Sequence, residues 1–213
     1  MAKKFRVALD PGHGGSDPGA VGNNLKEKDL TLQLSLDVSH ELFLLGMETF
    51  LTRSKDEAVS LPNRTDRINA WDPDVSLSIH INSFWKASAN GIEIYYHPLA
   101  INYDADFANA VWHRVKELGF TQRGVKTKDL HMVREIKPGI PAALIEVGFI
   151  KNKDDMNYLA TEWKTVVKAI ALGIADYLKV LPTPPVQPTE PEPSLEEQIK
   201  TKTKELYNLT LKL

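Results

Sequence analysis

The sequence predicts an α/β fold: a single three-layer domain in which helices cover both faces of a mostly parallel, mixed sheet of about six strands. Three observations predict it. Short apolar runs of strand length alternate with segments of helical periodicity from Phe5 to Lys179. Several of those runs break off in turns rich in glycine, proline or asparagine. Near residue 180 the alternation stops and prolines take over, which bounds the domain at residues 1–180.

Phe5 to Leu9 is the first strand. It runs into Asp10-Pro11-Gly12-His13-Gly14-Gly15, a turn that delivers one histidine to the strand's carboxyl end, where ligands gather in open α/β sheets. After a polar loop, Ser16 to Lys26, the residues Leu30, Leu34, Val38, Leu42 and Leu45 recur at helical spacing, and Gly46 caps them. Met47 to Thr52 reads as a strand, and Leu61 to Trp71, with Pro62 in its first turn, as a short helix. Val75 to Asn82 alternates: Val75, Leu77, Ile79 and Ile81 face one way, and Ser76, Ser78, His80 and Asn82 the other. Gly91 to His97 is another strand, followed by a helix from Asp104 to Leu118 that turns Phe107, Val111, Val115 and Leu118 inward. Leu130 to Val133 reads as a short strand and Ile140 to Val147 as a more apolar one. Asn152 with Asp155 marks a helix start, and the last long helix, about Glu162 to Lys179, buries Val166, Ile170, Ile174 and Leu178.

Residues 181–193 are a proline-rich linker, an extended and semi-rigid spacer. Residues 194–213 form a short amphipathic helical tail in which Leu195, Ile199, Leu206, Leu209 and Leu213 make an apolar seam behind a Ser194/Glu197 capping box. The seam covers under three heptads. A helix that short is marginal alone, so it implies self-association or another partner, unless it is a frayed tail.

With 213 residues, 42% hydrophobic, 25% charged and a net charge of -2, the chain has no electrostatic reason to bind nucleic acid. Its lack of cysteine removes disulfides, thiolate zinc sites and cysteine nucleophiles together, so any metal falls to His, Asp or Glu. No apolar run approaches the roughly 20 residues that span a bilayer. The start, Met1-Ala2-Lys3-Lys4, has no recognisable signal peptide, so the expectation is synthesis in the cytoplasm.

Three groups converge on the carboxyl ends of strands: His13, His80 and Glu146. Glu146 stands out because a carboxylate between Ile145 and Val147 in a buried strand is costly unless charges or donors await it. Glu27 enters from the loop after the first strand, and reads equally as an acidic residue at a helix N-terminus. His80 equally reads as the partner of a serine. Two histidines and one carboxylate are a ligand set that holds catalytic zinc with a position left open. A further carboxylate beside them is what water-driven hydrolysis needs as a base. His40-Glu41 has no histidine four residues on, so the helical metalloprotease motif is absent.

The chain resembles the zinc-dependent N-acetylmuramoyl-L-alanine amidases of bacterial and phage cell-wall lysis. The matching pieces are Leu9 to Gly15, Glu27 within Leu25 to Leu30, Ser78-Ile79-His80-Ile81-Asn82, and Glu146 to Asn152, with Asn63-Arg64 and Asn69-Ala70 as further likeness. The match spans about Lys4 to Val180. It implies one Zn²⁺ per chain held by His13, Glu27 and His80, with Glu146 as the catalytic carboxylate. The implied substrate is peptidoglycan, cut at the amide joining the lactyl group of N-acetylmuramic acid to L-alanine. Zinc in such a site polarises the carbonyl and acidifies water, while Glu146 takes the water's proton and returns it to the leaving amine. Ser78 and Asn82 are candidates to orient a ligand. Phe84 and Trp85 read either as packing or as an apolar wall for substrate. His97, His113 and His131 read as structural or surface residues.

A phage endolysin, or another lytic enzyme that reaches the wall after release from the cell, fits the absent leader. The enzyme alternative is a zinc peptidase or carboxypeptidase acting on stem peptides. A non-catalytic wall-binding module is the alternative from another class, and it predicts a broken ligand set or a missing Glu146, neither of which is seen.

Overall fold

The computed structural model describes residues 4–100 and 102–179. The proline-rich linker, the tail and its leucine seam lie outside the described residues. In chain order the elements are β1 (Arg6–Pro11), β2 (Val21–Gly22), β3 (Leu25–Lys26), α1 (Glu27–Leu44), β4 (Glu48–Leu51), α2 (Leu61–Trp71) and β5 (Val75–Asn82). They continue with β6 (Ile92–Tyr96), α3 (Asn102–Val115), β7 (Gln122–Thr127), α4 (His131–Arg134), β8 (Ala142–Phe149), α5 (Lys153–Thr161) and α6 (Trp163–Leu178).

Six strands make one sheet in the order β4-β1-β5-β8-β6-β7, and β2 and β3 form a separate small hairpin. All neighbours pair in parallel except β6 with β8. The alternation in β5 sorts the two faces as its sequence predicts. Val75, Leu77, Ile79 and Ile81 pack with Val7, Leu9, Ile145 and Val147 under α1, α3 and α6, and Leu34, Val38, Phe107, Val111, Ile170 and Ile174 close that core. The opposite face carries Ala8, Ala142 and Leu144, covered by Ile68 of α2 and by Met132 and Val133 of α4. Those two helices are short, and the carboxyl-end half of this face, with Ser78 and His80 on it, is polar. That half is where the candidate site lies.

Two elements differ from the sequence expectation. Leu130 to Val133 is not a strand: His131–Arg134 is a helical turn with Leu130 as its N-cap, so that the adjacent Met132 and Val133 are both buried, where a strand would send them to opposite faces. The sixth strand is instead β7, an edge strand whose sequence QRGVKT is too polar to announce itself. The loop after β1 also folds into the β2–β3 hairpin, and α1 begins at Glu27 itself. No described helix is long and apolar enough to cross a membrane.

At the carboxyl end of β8, Asn152 caps α5 by accepting from the backbone N–H groups of Asp154 and Asp155, both at 3.0 Å. Its Nδ2 donates to the Ala87 carbonyl at 3.0 Å, which ties the loop between β5 and β6 to the same cap. Asn152→Ala is expected to cost about 1 kcal/mol, a fall of roughly 2–4 °C in Tm for a domain of this size. Thermal melting checks it, and an unchanged Tm would contradict the cap.

Candidate metal centre

The turn after β1 is held by two guanidinium groups. Arg64 of α2 donates to Asp10 Oδ1 at 2.8 Å and to the carbonyls of Pro11 and His13. Arg53, 1% exposed, donates to the carbonyls of Pro11 at 3.0 Å and Gly12 at 2.8 Å. Three successive carbonyls are thereby fixed, and His13 is held at a φ of 60°, a left-handed conformation that costs a non-glycine residue roughly 1–2 kcal/mol. Asp10 is the counter-charge, and Thr52 and Ser78 also donate to it.

His13, Glu27 and His80 each turn one donor atom inward, and these atoms lie within 4.8 Å of one another. His13 Nε2 is 3.2 Å from Glu27 Oε2, and His80 Nδ1 is 3.0 Å from Glu27 Oε1. Glu27 is aimed by two backbone donors, Ala20 N–H to Oε2 at 2.8 Å and Ile81 N–H to Oε1 at 3.0 Å. Two glycines keep the space clear. A Cβ on Gly12 would lie 2.4 Å from the His80 ring, and one on Gly19 would lie 2.6 Å from the His13 ring and 2.7 Å from Glu27 Oε2.

Glu146 is the cross-strand partner of His80, and Glu93 of β6 is the partner of Glu146, so three ionisable side chains stand in one row. Glu93 is satisfied by Asn82 at 2.5 Å, Arg123 at 2.9 Å and Lys126. Glu146 is not. Its Oε2 is buried and takes no hydrogen bond from any described residue.

Burial pushes the Glu146 carboxyl up to about 7, with Glu27 and Glu93 adding to the rise and His80 opposing it. Burial opposes ionisation of Glu27, yet the two imidazoles outweigh it and hold this carboxyl well below the usual range. His13 is lifted to about 9, because the Glu27 and Asp17 carboxylates outweigh its burial. Two carboxylates in one site therefore differ sharply in proton affinity, the pattern that separates a charge-holding group from an acid–base group. The donor set suits a cation: two imidazole nitrogens and one carboxylate oxygen, gathered within 4.8 Å of one another, are a ligand set that zinc accepts.

All four sequence candidates are thus gathered at one place. Ser78 and Asn82 do not orient the candidate ligands as expected, since Ser78 donates to Asp10 and Asn82 to Glu93. That part falls to Asp17, whose carboxylate lies 2.8 Å from His13 Nδ1 and fixes the ring's other nitrogen. Asp17 sits in a loop without periodicity, so nothing in its surroundings announces it. Glu93 was findable, because a carboxylate between Ile92 and Ile94 poses the same question as Glu146. Elsewhere His97 pairs with Asp129 at 3.7 Å, His131 meets Thr65 at 3.3 Å, and His113 is exposed on α3.

A cleft of about 650 Å³ opens beside His13 and His80, walled by Ser60, Leu61 and Asn63 at the start of α2. The fold and this centre define a class: an α/β domain whose candidate reactive groups sit at or beside the carboxyl ends of parallel strands. The N-acetylmuramoyl-L-alanine amidase family matches residues 7–176. A sporulation-specific N-acetylmuramoyl-L-alanine amidase of Bacillus subtilis is 38% identical over 177 residues, covering 82% of this chain and 67% of that protein. The endolysin of Bacillus phage SPP1 is 33% identical over 183 residues, covering 82% and 66%. The catalytic domain of CwlV, an N-acetylmuramoyl-L-alanine amidase from Bacillus (Paenibacillus) polymyxa, superposes with a TM-score of 0.77 at 33% identity, covering 83% of this chain and 99% of that one. The chain belongs to the N-acetylmuramoyl-L-alanine amidase family and is an enzyme of that type.

The Asp10–Arg64 pair makes the turn sensitive to acid. Burial opposes the Asp10 charge, but Arg64 and the donors Thr52 and Ser78 prevail and hold the carboxyl below its ordinary value. Its stabilisation is therefore complete above the unfolded value of about 4 and is lost as pH falls through the lower folded value. Asp10→Asn is expected to destabilise by about 3 kcal/mol at pH 7, with the gap from the wild type narrowing as pH is taken below about 4. Urea unfolding at several pH values reads this, and a gap that stays constant into acid would contradict it.

Proposed function

We propose that this chain is a zinc-dependent hydrolase that cleaves the amide between N-acetylmuramic acid and L-alanine in peptidoglycan. In this reading His13, Glu27 and His80 hold one Zn²⁺ per chain and Glu146 is the acid–base group. The observation that carries it is the buried, unpartnered Glu146 Oε2 in the same row as His80. When bound, Zn²⁺ supplies Lewis acidity toward the scissile carbonyl and toward water.

The chain's own residues supply the rest. The arginine-clamped turn and the two backbone donors to Glu27 fix the ligand atoms in advance, so no reorganisation is needed at the moment of reaction. Asp17 holds the His13 ring in the orientation that presents Nε2. Glu146 takes a proton from the attacking water and gives it to the leaving nitrogen of L-alanine. Its lifted proton affinity suits both halves of that exchange near neutral pH. The cleft beside His13 and His80 takes in the substrate and limits its approach to one side.

The setting we infer is wall lysis after release from the cell that makes the enzyme, as an endolysin or a mother-cell lysin. Residues 181–193 then act as a spacer, and residues 194–213 as the segment that binds a second copy or another partner.

Glu146→Gln is expected to keep zinc, measured as metal content per chain, and to lose turnover by about 10²–10⁴-fold. Purified-wall digestion with mass identification of the products is the assay, and a chelator is expected to stop it. Free N-terminal alanine on intact stem peptides is the expected product. Wild-type turnover by the variant, or fragments cut within the stem, would contradict the assignment.

A further inference from the structure

Among the described residues seven large hydrophobic side chains are exposed, and four of them, Val21, Leu61, Phe84 and Trp85, belong to segments that surround the candidate centre. Val21 is on the β2–β3 hairpin, next to Ala20, the donor to Glu27. Leu61 lines the cleft together with His13 and His80. Phe84 and Trp85 stand on the loop that leaves β5 just after His80 and Asn82. Exposed apolar side chains on segments that lead to a polar centre suit contact with a ligand.

Trp85 is the most exposed of the four, at 73%, with Phe84 beside it at 48% and the ring centroids 5.7 Å apart. The rings add little to the core, yet the loop that bears them is fastened at three points. Ser83 N–H donates to Asn82 Oδ1 at 2.8 Å, Asn152 Nδ2 to the Ala87 carbonyl at 3.0 Å, and Gly91 N–H to Asp155 Oδ2 at 2.8 Å. Ordering a loop costs conformational entropy, and burial of these rings does not offset it. Preorganised, exposed aromatic rings are what a binding surface requires.

We infer that Trp85, supported by Phe84, is a subsite for the neutral sugar chain of the substrate, stacking on the apolar C–H face of a pyranose ring. The inference deepens the amidase reading and rests on it. Charge separates the two halves of the substrate. The stem peptide carries free carboxylates, and the basic side chains near Glu146 that match them are on or beside β7: Arg123 and Lys126, which share Glu93, and Lys128 over the Tyr95 ring at 5.3 Å. N-acetylmuramic acid has its own carboxyl consumed in the scissile amide, so the glycan side is uncharged where it meets the enzyme. Uncharged aromatic faces complement that side. Lys86, with Nζ 4.7 Å from the centre of the Trp85 ring, braces the indole on one face and leaves the other for the sugar.

The test titrates the full chain with chitotetraose, an uncharged N-acetylglucosamine tetramer, following Kd by calorimetry and by tryptophan fluorescence. Wild type is expected to bind with a blue-shifted emission. Trp85→Ala is expected to bind at least tenfold more weakly at unchanged Tm and zinc content, and Trp85→Phe to retain part of the affinity. A second arm uses the sugar-free stem peptide, whose binding is expected to change less than twofold in Trp85→Ala. No binding of chitotetraose to wild type, equal binding by Trp85→Ala, or a stem-peptide affinity that depends on Trp85 would each overturn the subsite. Wall digestion fails separately if the amidase reading is wrong, because sugar binding requires no turnover.

Discussion

The site depends first on how three consecutive carbonyls are held. A strand that ends in Pro11-Gly12-His13 leaves backbone acceptors pointing into the domain, and buried acceptors without donors are costly. Arg53 and Arg64 supply those donors from two different directions. Asp10 balances the charge they bring. Without that clamp, the left-handed backbone at His13 would relax and its imidazole would leave Glu27. Fold and chemistry thus meet in one hydrogen-bonded knot, which also binds α2 and the start of α1 to the sheet: Arg53 reaches the Lys28 carbonyl at 2.8 Å, and Thr31 reaches the Gly12 carbonyl at 2.7 Å.

A second constraint governs the row of side chains across the sheet. His80, Glu146 and Glu93 are neighbours by strand register, so their spacing is set by the backbone and not by flexible linkers. Placing two carboxylates side by side is unfavourable. Arg123, Lys126 and Asn82 keep one of them satisfied, and the whole burden of burial falls on the other. Glu146 thereby has its proton affinity raised, as the proposed acid–base role requires, while Glu27, set between two imidazoles, has its own lowered.

Much of this was legible in the sequence. The alternation in Val75 to Asn82 assigned both faces of the central strand correctly, since a twofold period survives whatever packs against it. Leu61 to Trp71 had a clear helix start, and the structure agrees on both ends. Three of the four candidate site residues were visible from local pattern: a histidine in a glycine turn, a histidine on a polar strand face, and a carboxylate in an apolar strand; Glu27, an ordinary acidic residue at a helix start, was set apart by the family resemblance. The edge strand Gln122–Thr127 and the helical turn at His131 were not legible. An edge strand need bury only one side, and a four-residue helix shows barely one period. Arg53 and Arg64 were missed as supporting residues because their value lies in long-range contacts that leave no periodic trace, and Asp17, four residues from His13, because its loop has no periodicity.

The central claim is that His13, Glu27 and His80 form one metal site facing Glu146. Anomalous diffraction at the zinc edge, from crystals of the full chain grown with one equivalent of Zn²⁺, tests it most directly. The account predicts a single strong peak per chain, about 2.0–2.2 Å from His13 Nε2, His80 Nδ1 and a Glu27 oxygen. A dominant peak at any other group of side chains, or no peak at this one, would contradict it.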